Sequence, residues 1–145
     1  MNLVDKVKVM VKIPDEVVEA INNKDNPKIL ATVGPDGAPH AIQVGSIAAP
    51  SNEMMIAGAI LMKRTGKNLE AMKKDGKTAS FLVLAGPKSY EIRCAVGDYV
   101  TSGPMFDGMF EKIKQMGMTL QGIWTFTPVE VWNQSASMEA GTKMV

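Results

Sequence analysis

The sequence predicts a mainly β protein in which about six antiparallel strands and three short helices form a barrel or a sandwich. The first observation is a series of short apolar or alternating segments, each bounded by glycine, proline or asparagine turns. The second is that helical patterns interrupt this series at a few points and do not follow every strand. Short connections without regular strand–helix alternation disfavour a parallel βαβ sheet and favour antiparallel pairing.

The composition is that of an ordinary globular chain, with 145 residues, 46% hydrophobic and 21% charged, and a net charge of +1. The length suits one domain over residues 1–145. So small a net charge gives no support to nucleic-acid or anionic-membrane binding. No segment reaches the roughly 18 apolar residues of a membrane span, and charged residues interrupt the N-terminal stretch where a signal peptide would be apolar. With one cysteine, Cys94, we expect a cytoplasmic protein.

The first part of the chain is predicted to hold an extended segment, a short helix and a hairpin of two strands, at residues 4–13, 14–23, 28–33 and 39–48. Pro14 suits the first turn of the helix. The hairpin turn has the sequence Gly-Pro-Asp-Gly, in which proline sets the bend and Gly37 can take a positive φ. Gly45, inside the second strand, indicates either a bulge or a close approach of a ligand to the backbone.

Residues 52–76 read as a strand (54–59), a basic turn and a helix that ends at Gly76. Three cations, Lys63, Arg64 and Lys67, fall within five positions, and Thr65 stands where a helix N-cap is expected. A helix N-terminus has free N–H groups and a partial positive charge, so this stretch predicts a site for a phosphate monoester. The alternative is a solvated helix face, which is the commoner origin of a lone basic run.

The second half is predicted to contain two strands, a helix and a last strand, at residues 78–84, 90–101, 104–116 and 121–132. Gly97 predicts a bulge or bend in the long second strand of this group. Pro104 suits the first turn of the helix, and Gly117 ends it. The small and polar residues 133–145 predict a mobile tail.

The sequence offers few groups for protein-based catalysis. His40 is the single histidine, no histidine, cysteine and carboxylate cluster has metal-ligand spacing, and no phosphate-binding glycine loop occurs. Cys94 lies mid-strand, where a buried structural thiol is expected. A phosphate-type site without a nucleophile or an acid–base pair is typical of proteins in which a cofactor carries the reaction.

In the order of its elements the chain resembles the FMN-binding split-barrel proteins related to pyridoxamine 5′-phosphate oxidase. Four segments carry the resemblance: ILATVGPDGAPHAIQVGSI, MKRTGKNLEAMKKD, YEIRCAVGDYVTSGP and GIWTFTPVEVW. The resemblance implies a six-stranded antiparallel Greek-key split β-barrel and a homodimer with FMN at the subunit interface. The arginine–histidine substrate motif at the C-terminus of true pyridoxamine phosphate oxidases has no counterpart in NQSASMEAGTKMV, so that activity is not expected.

By position, the resemblance assigns ten residues to the cofactor. Arg64 and Thr65 match residues that hold the FMN phosphate. Lys63 and Lys67 are the flanking cations, and Asn68 is the asparagine of the first helical turn. Gln43, Val44 and Gly45 match the strand that runs along the flavin ring and ribityl chain. Ala57 and Gly58 are the small residues of the next strand.

Three functional hypotheses follow. The first is a small FMN flavoprotein, an oxidoreductase that passes electrons or hydride from a reduced nicotinamide or another carrier to an acceptor. The second is a deazaflavin-dependent reductase, in which the basic turn holds a longer anionic tail. The third is a non-catalytic dimeric module that binds haem, with His40 as ligand, or a phosphorylated metabolite.

Overall fold

The structure is a computed structural model that describes residues 9–145. Within these residues, three helices are interleaved with eight strands. The helices are α1 (Asp15–Asn22), α2 (Lys63–Asp75) and α3 (Pro104–Gln115). The strands are β1 (Lys28–Val33), β2 (Pro39–Gln43), β3 (Ile47–Ser51), β4 (Met54–Ala59), β5 (Thr78–Ala85), β6 (Lys88–Val100), β7 (Gly122–Asn133) and β8 (Thr142–Lys143).

All strands belong to one antiparallel sheet with the order β2-β1-β5-β6-β7-β4-β3, and β8 pairs with β7. The two edge strands, β2 and β3, are consecutive in the chain and are joined by residues 44–46. Four steps of fully extended chain, from Gln43 to Ile47, reach at most about 14 Å. The sheet must therefore curl until its edges lie close together, which gives a barrel with a gap between β2 and β3.

The prediction of one strand over residues 39–48 was wrong. Val44 still donates a backbone hydrogen bond to Lys28 O, at 3.0 Å, beyond the end of β2. After Val44 the chain leaves β1 and crosses to the opposite edge of the sheet, where Ile47 pairs with Ala57 of β4. This division, together with the short β8, raises the number of strands from the predicted six to eight.

The barrel interior holds the main core, in which Phe81 and Phe126 meet edge to face with ring centroids 4.8 Å apart. α1 packs on β3 and β5 through Val17 and Ile21, and α2 packs on β1, β5 and β6 through Leu69 and Met72. α3 has a single buried residue, Ile113, and lies over a second, smaller cluster. No helix in residues 9–145 is both long and apolar enough to span a bilayer.

Both ends of the described chain lie against the barrel. The backbone N–H of Val11 donates to Pro128 O and that of Ile13 to Asn52 O, although no strand forms there, and the predicted extended residues 4–8 lie outside the described part of the chain. The predicted mobile tail instead packs on the sheet, because β8 pairs with Trp132 and Asn133 and Ser135 is buried against Ser89. The tail therefore belongs to the folded unit.

The register of β6 on β7 shifts between Val96 and Tyr99, as the predicted bulge at Gly97 requires. A Cβ at Gly97 would lie 2.7 Å from the backbone oxygen of Thr125. We expect Gly97→Ala to lower the free energy of unfolding by about 1–3 kcal/mol, because backbone cannot move aside cheaply. The measurement is denaturant unfolding followed by fluorescence.

The matched control is Gly108→Ala. Gly108 lies inside α3 with open space at its Cβ position, so the substitution should raise the free energy of unfolding by about 0.5–1 kcal/mol. Equal effects of the two alanines would contradict the close approach of β6 and β7 at Gly97.

Candidate functional site

An open cleft of about 520 Å³ lies where the gap in the barrel meets α3. Its walls come from the β2–β3 link, the end of β4, the segment before α2 and the end of α3. The lining residues are Ile42, Gln43, Val44, Gly45, Ser46, Gly58, Ile60, Leu61, Met62, Ile113, Met116 and Met118. None of these side chains is ionisable, and only Gln43 and Ser46 are polar. We call this feature the apolar cleft.

Ser46 fixes the β2–β3 link to the floor of the apolar cleft. Its hydroxyl accepts a hydrogen bond from the Gly58 N–H, at 3.0 Å, and donates one to Gly58 O, at 2.9 Å. A Cβ at Gly58 would lie 2.6 Å from Met109 Sδ and 3.0 Å from Leu120 Cδ1. The glycine therefore lets α3 approach the sheet at this point. Because β3 begins only at Ile47, the Ser46 side chain forms the two hydrogen bonds with Gly58 that a neighbouring strand would otherwise form through its backbone.

Leu61 connects β4 to α2 in a strained backbone conformation. It is the one non-glycine residue with positive φ, 57°, in the described part of the chain, and its side chain is 77% exposed. A branched side chain in this region costs of order 1–3 kcal/mol, and such residues cluster at functional sites. The sharp turn places Met62 in the wall of the cleft and starts α2 immediately afterwards.

The first two turns of α2 carry the cations Lys63, Arg64 and Lys67, which we call the basic end. All three are exposed, none forms an ion pair with another described residue, and no acidic residue lies in the first turn. The N-cap is Met62, which has no side chain able to cap. The backbone N–H groups of the first turn thus lack an internal side-chain acceptor and can bind an external anion.

The prediction of Thr65 as the helix cap was wrong, because the helix begins two residues earlier. Thr65 instead lies inside the first turn and is 1% exposed. Asn68, also buried, donates its amide hydrogen to the Thr32 hydroxyl at 3.1 Å. This hydrogen bond ties α2 to β1, so Asn68 orients the basic end.

The structure brings most of the ten predicted residues to one region. Gln43, Val44, Gly45 and Gly58 line the apolar cleft. The five predicted residues of α2 lie in its first two turns, which follow directly on Met62. Ala57 is the exception, since it is fully buried in the core between Ile47 and Trp124 and presents no side-chain surface to a ligand.

Sequence reasoning missed Ser46, Leu61 and the methionine wall of Met62, Met116 and Met118. A helical pattern explains an apolar face of α3, but Met116 and Met118 follow the end of the helix. In the sequence these two methionines are marked only by their positions on either side of Gly117, and in the structure the φ of 79° at Gly117 turns the chain back toward the cleft. Such a turn has no sequence mark that separates it from an ordinary helix end.

The other candidate groups lie elsewhere. His40 is on the edge strand β2 opposite Thr32 and does not line the apolar cleft. Cys94 is fully buried in β6. Residues 9–145 contain no group of three histidine, cysteine or carboxylate side chains that could hold a metal ion.

No protein-family profile matches the chain, and no curated protein matches it in sequence at a significant level. Solved structures do share its architecture. HupZ of Group A Streptococcus is 17% identical, with a TM-score of 0.71 over 89% of this chain and 99% of HupZ. An FMN-binding protein from Syntrophomonas wolfei is 15% identical, with a TM-score of 0.71 over 84% of this chain and 88% of that protein. The chain has a split-barrel-like fold.

A candidate pyridoxamine 5′-phosphate oxidase from Lactobacillus delbrueckii has the same split-barrel-like fold, with 17% identity and a TM-score of 0.65 over 83% of this chain and 93% of that protein. Proteins with this fold also include an F420 reductase and the haem storage protein HutZ of Vibrio cholerae. Identities this low establish the fold alone, so the ligand must be argued from the residues of this chain.

Burial raises the pKa of the Cys94 thiol well above its ordinary value. The unfolded thiol loses its proton above about pH 9 while the folded thiol keeps it, so stability that is present below that pH is lost as the pH rises. We expect the free energy of unfolding to fall by up to about 1.4 kcal/mol per pH unit in this range. Cys94→Ala, measured by denaturant unfolding over the same pH series, should show a shallower slope, and identical slopes would contradict the burial of a protonated thiol.

Proposed function

We propose that the protein binds FMN and acts as a flavin-dependent oxidoreductase. The observation that carries the proposal is that the apolar cleft and the basic end meet at Met62, which lines the cleft and is the N-cap of α2. A ligand with an uncharged ring system and an anionic tail matches this pair of features. The likeness to an FMN-binding protein of the same fold supports the choice of flavin.

The basic end supplies electrostatic complementarity to a phosphate. Lys63, Arg64 and Lys67 provide charged donors, and the first turn of α2 adds backbone N–H groups and the positive end of its dipole. Asn68 holds this turn in place through Thr32. The residues present therefore fit the phosphate of FMN, with Thr65 inside the same turn.

The apolar cleft supplies the place for the ring. Its volume of about 520 Å³ is within the range of about 300–1,000 Å³ that is typical of ligand pockets. Gly45 is exposed with open space at its Cβ position, so a flat ring can lie against backbone there. When bound, FMN supplies two-electron chemistry, and this chain binds it, orients it and keeps ionisable side chains away from the ring.

A deazaflavin is the second candidate. Three exposed cations provide more positive charge than one phosphate monoester requires, which suits a cofactor with a longer anionic tail. An F420 reductase shares the fold. Haem is less well supported, because His40 lies outside the apolar cleft. Competition between FMN and the deazaflavin for the purified protein would choose between the two flavins.

We also propose that the protein is a homodimer with the cofactor at the subunit interface. Leu61, Met116 and Met118 leave 77%, 67% and 40% of their surface exposed around the mouth of the cleft. Exposed apolar side chains that cluster in this way mark interaction surfaces. A second copy of the chain would cover part of this apolar surface and leave the cleft accessible from one side.

Arg64→Ala tests the cofactor assignment. Loss of one charge-assisted hydrogen bond at an exposed site should raise the dissociation constant of FMN about tenfold, and added salt should weaken binding to the native protein. Riboflavin, which lacks the phosphate, should bind both proteins equally. The measurement is quenching of flavin fluorescence on titration.

Lys112→Ala is the control, because Lys112 is an exposed cation on α3 that lies outside the basic end. If the native protein retains no flavin absorbance after FMN is added and the protein is desalted, the proposed function is wrong.

Leu61→Glu tests the dimer. A carboxylate at this exposed apolar position should shift the sedimentation equilibrium from dimer toward monomer, because an interface core does not tolerate an unpaired charge. Met138→Glu, at a fully exposed position in the tail, should leave the native dimer unchanged. A native protein that sediments as a monomer at all concentrations would contradict the proposal.

A further inference from the structure

We infer that the second ligand of this site, the compound that meets the cofactor in the apolar cleft, is an uncharged aromatic molecule and that anionic compounds are excluded. The inference rests on the proposed function for the presence of a cofactor. The class of compound is argued from the lining of the cleft alone.

The absence of ionisable side chains sets the charge of the ligand. The cations nearest along the chain, Lys63 and Arg64, begin the basic end and do not line the cleft, and no other lysine, arginine or carboxylate of residues 9–145 lines it. A carboxylate or phosphate placed among the lining residues would lose water without gaining a partner of opposite charge, which costs several kcal/mol. A neutral compound incurs no such penalty.

The hydrogen-bonding capacity of the cleft limits the polarity of the ligand. The Ser46 hydroxyl donates its single hydrogen to Gly58 O and accepts from the Gly58 N–H, so it has no donor left for a ligand and at most one further acceptor lone pair. Gln43, at the end of β2, is exposed and can turn its amide toward a ligand. One amide can satisfy one or two polar atoms, so the compound that fits is predominantly apolar.

The methionine wall favours an aromatic compound over an aliphatic one. Met62 reaches the cleft from the start of α2, and Met116 and Met118 reach it from the turn after α3. Thioether sulfur atoms make favourable contacts with aromatic rings, and the unbranched side chains adapt to rings of different shape. Three methionines from two elements therefore form an adaptable wall, which predicts tolerance of varied ring substituents.

The basic end and the apolar cleft differ in charge and so suit different ligands. In the proposed complex the anionic tail of the cofactor would occupy the basic end and neutralise most of its charge, which leaves little of that charge to recruit an anionic substrate. Ile60, Leu61 and Ile113 complete an uncharged perimeter, so no residual positive charge of the lining directs an anion to the ring. Selection among second ligands then depends on desolvation, which favours neutral rings.

The test uses 2-naphthol and 2-naphthoate, which share a ring system and differ in charge at neutral pH. Their binding to the FMN-loaded protein is measured by equilibrium dialysis, and release of FMN is followed by flavin fluorescence. We expect 2-naphthol to bind at least about tenfold more tightly, without release of FMN. Equal affinities would overturn the inference, and so would displacement of FMN by 2-naphthol.

Met118→Glu, measured at a protein concentration at which sedimentation shows the same oligomeric state as the native protein, should weaken 2-naphthol binding about tenfold, because the new carboxylate must lose water when the ring enters. Met118→Leu retains an apolar side chain and should stay within a few-fold of the native protein, and Met138→Glu adds the same charge at a remote, fully exposed position. Unchanged 2-naphthol binding by Met118→Glu would contradict the assignment of the cleft.

The same pair of probes separates the two proposals. If the protein takes up no FMN, the proposed function fails, and the probes are then measured in phosphate buffer, where inorganic phosphate occupies the basic end. A preference for 2-naphthol in that buffer still supports an uncharged aromatic ligand in the cleft, and no preference overturns it.

Discussion

The short link between the edge strands β2 and β3 is the constraint on which the rest of the structure depends. Residues 44–46 join opposite edges of a seven-strand path, so the sheet can satisfy the connection only by curling into a barrel. The link cannot continue the ladder of β1 or of β4 throughout, and Ser46 compensates by hydrogen-bonding both backbone groups of Gly58. An opening in the barrel wall is thus built into the topology, with exposed backbone at Gly45.

The opening becomes a site because two other segments end beside it. β4 runs into the strained Leu61 and then into α2, whose uncapped N-terminus carries three exposed cations. α3 ends with Gly117, and the chain turns Met116 and Met118 into the same space. The basic end and the apolar cleft are adjacent because Met62 lines the cleft and Lys63, the first residue of the basic end, follows it directly. The two features differ in polarity because the cations belong to α2, whereas the cleft is lined by the strand ends and by the turn after α3.

Much of this fold could be predicted from the sequence, because strands such as β5 and β7 have periodic apolar positions and clear turn residues at their ends. The basic end was visible for the same reason, as charge density before a helical pattern. The division of residues 39–48 into two strands was not visible, since it depends on which edge of the sheet each residue reaches. Likewise, a small side chain such as that of Ala57 suits both a strand that a ligand approaches and the core, and only the structure shows that this side chain is buried opposite Trp124.

Proteins with this fold are named for different cofactors, so the barrel itself does not select the ligand. In this chain the selection must come from the charge and shape of the residues around the gap. Among the described residues, the axial donors that the cleft offers to a haem iron are thioethers and not an imidazole. The proposed phosphorylated flavin would use a neutral slot beside a helix end with exposed cations, and the described residues provide such a pair of features. In the proposed complex the anionic tail would lie outside the cleft, beside Lys63, Arg64 and Lys67, so an uncharged lining around the ring would not weaken the electrostatic part of cofactor binding.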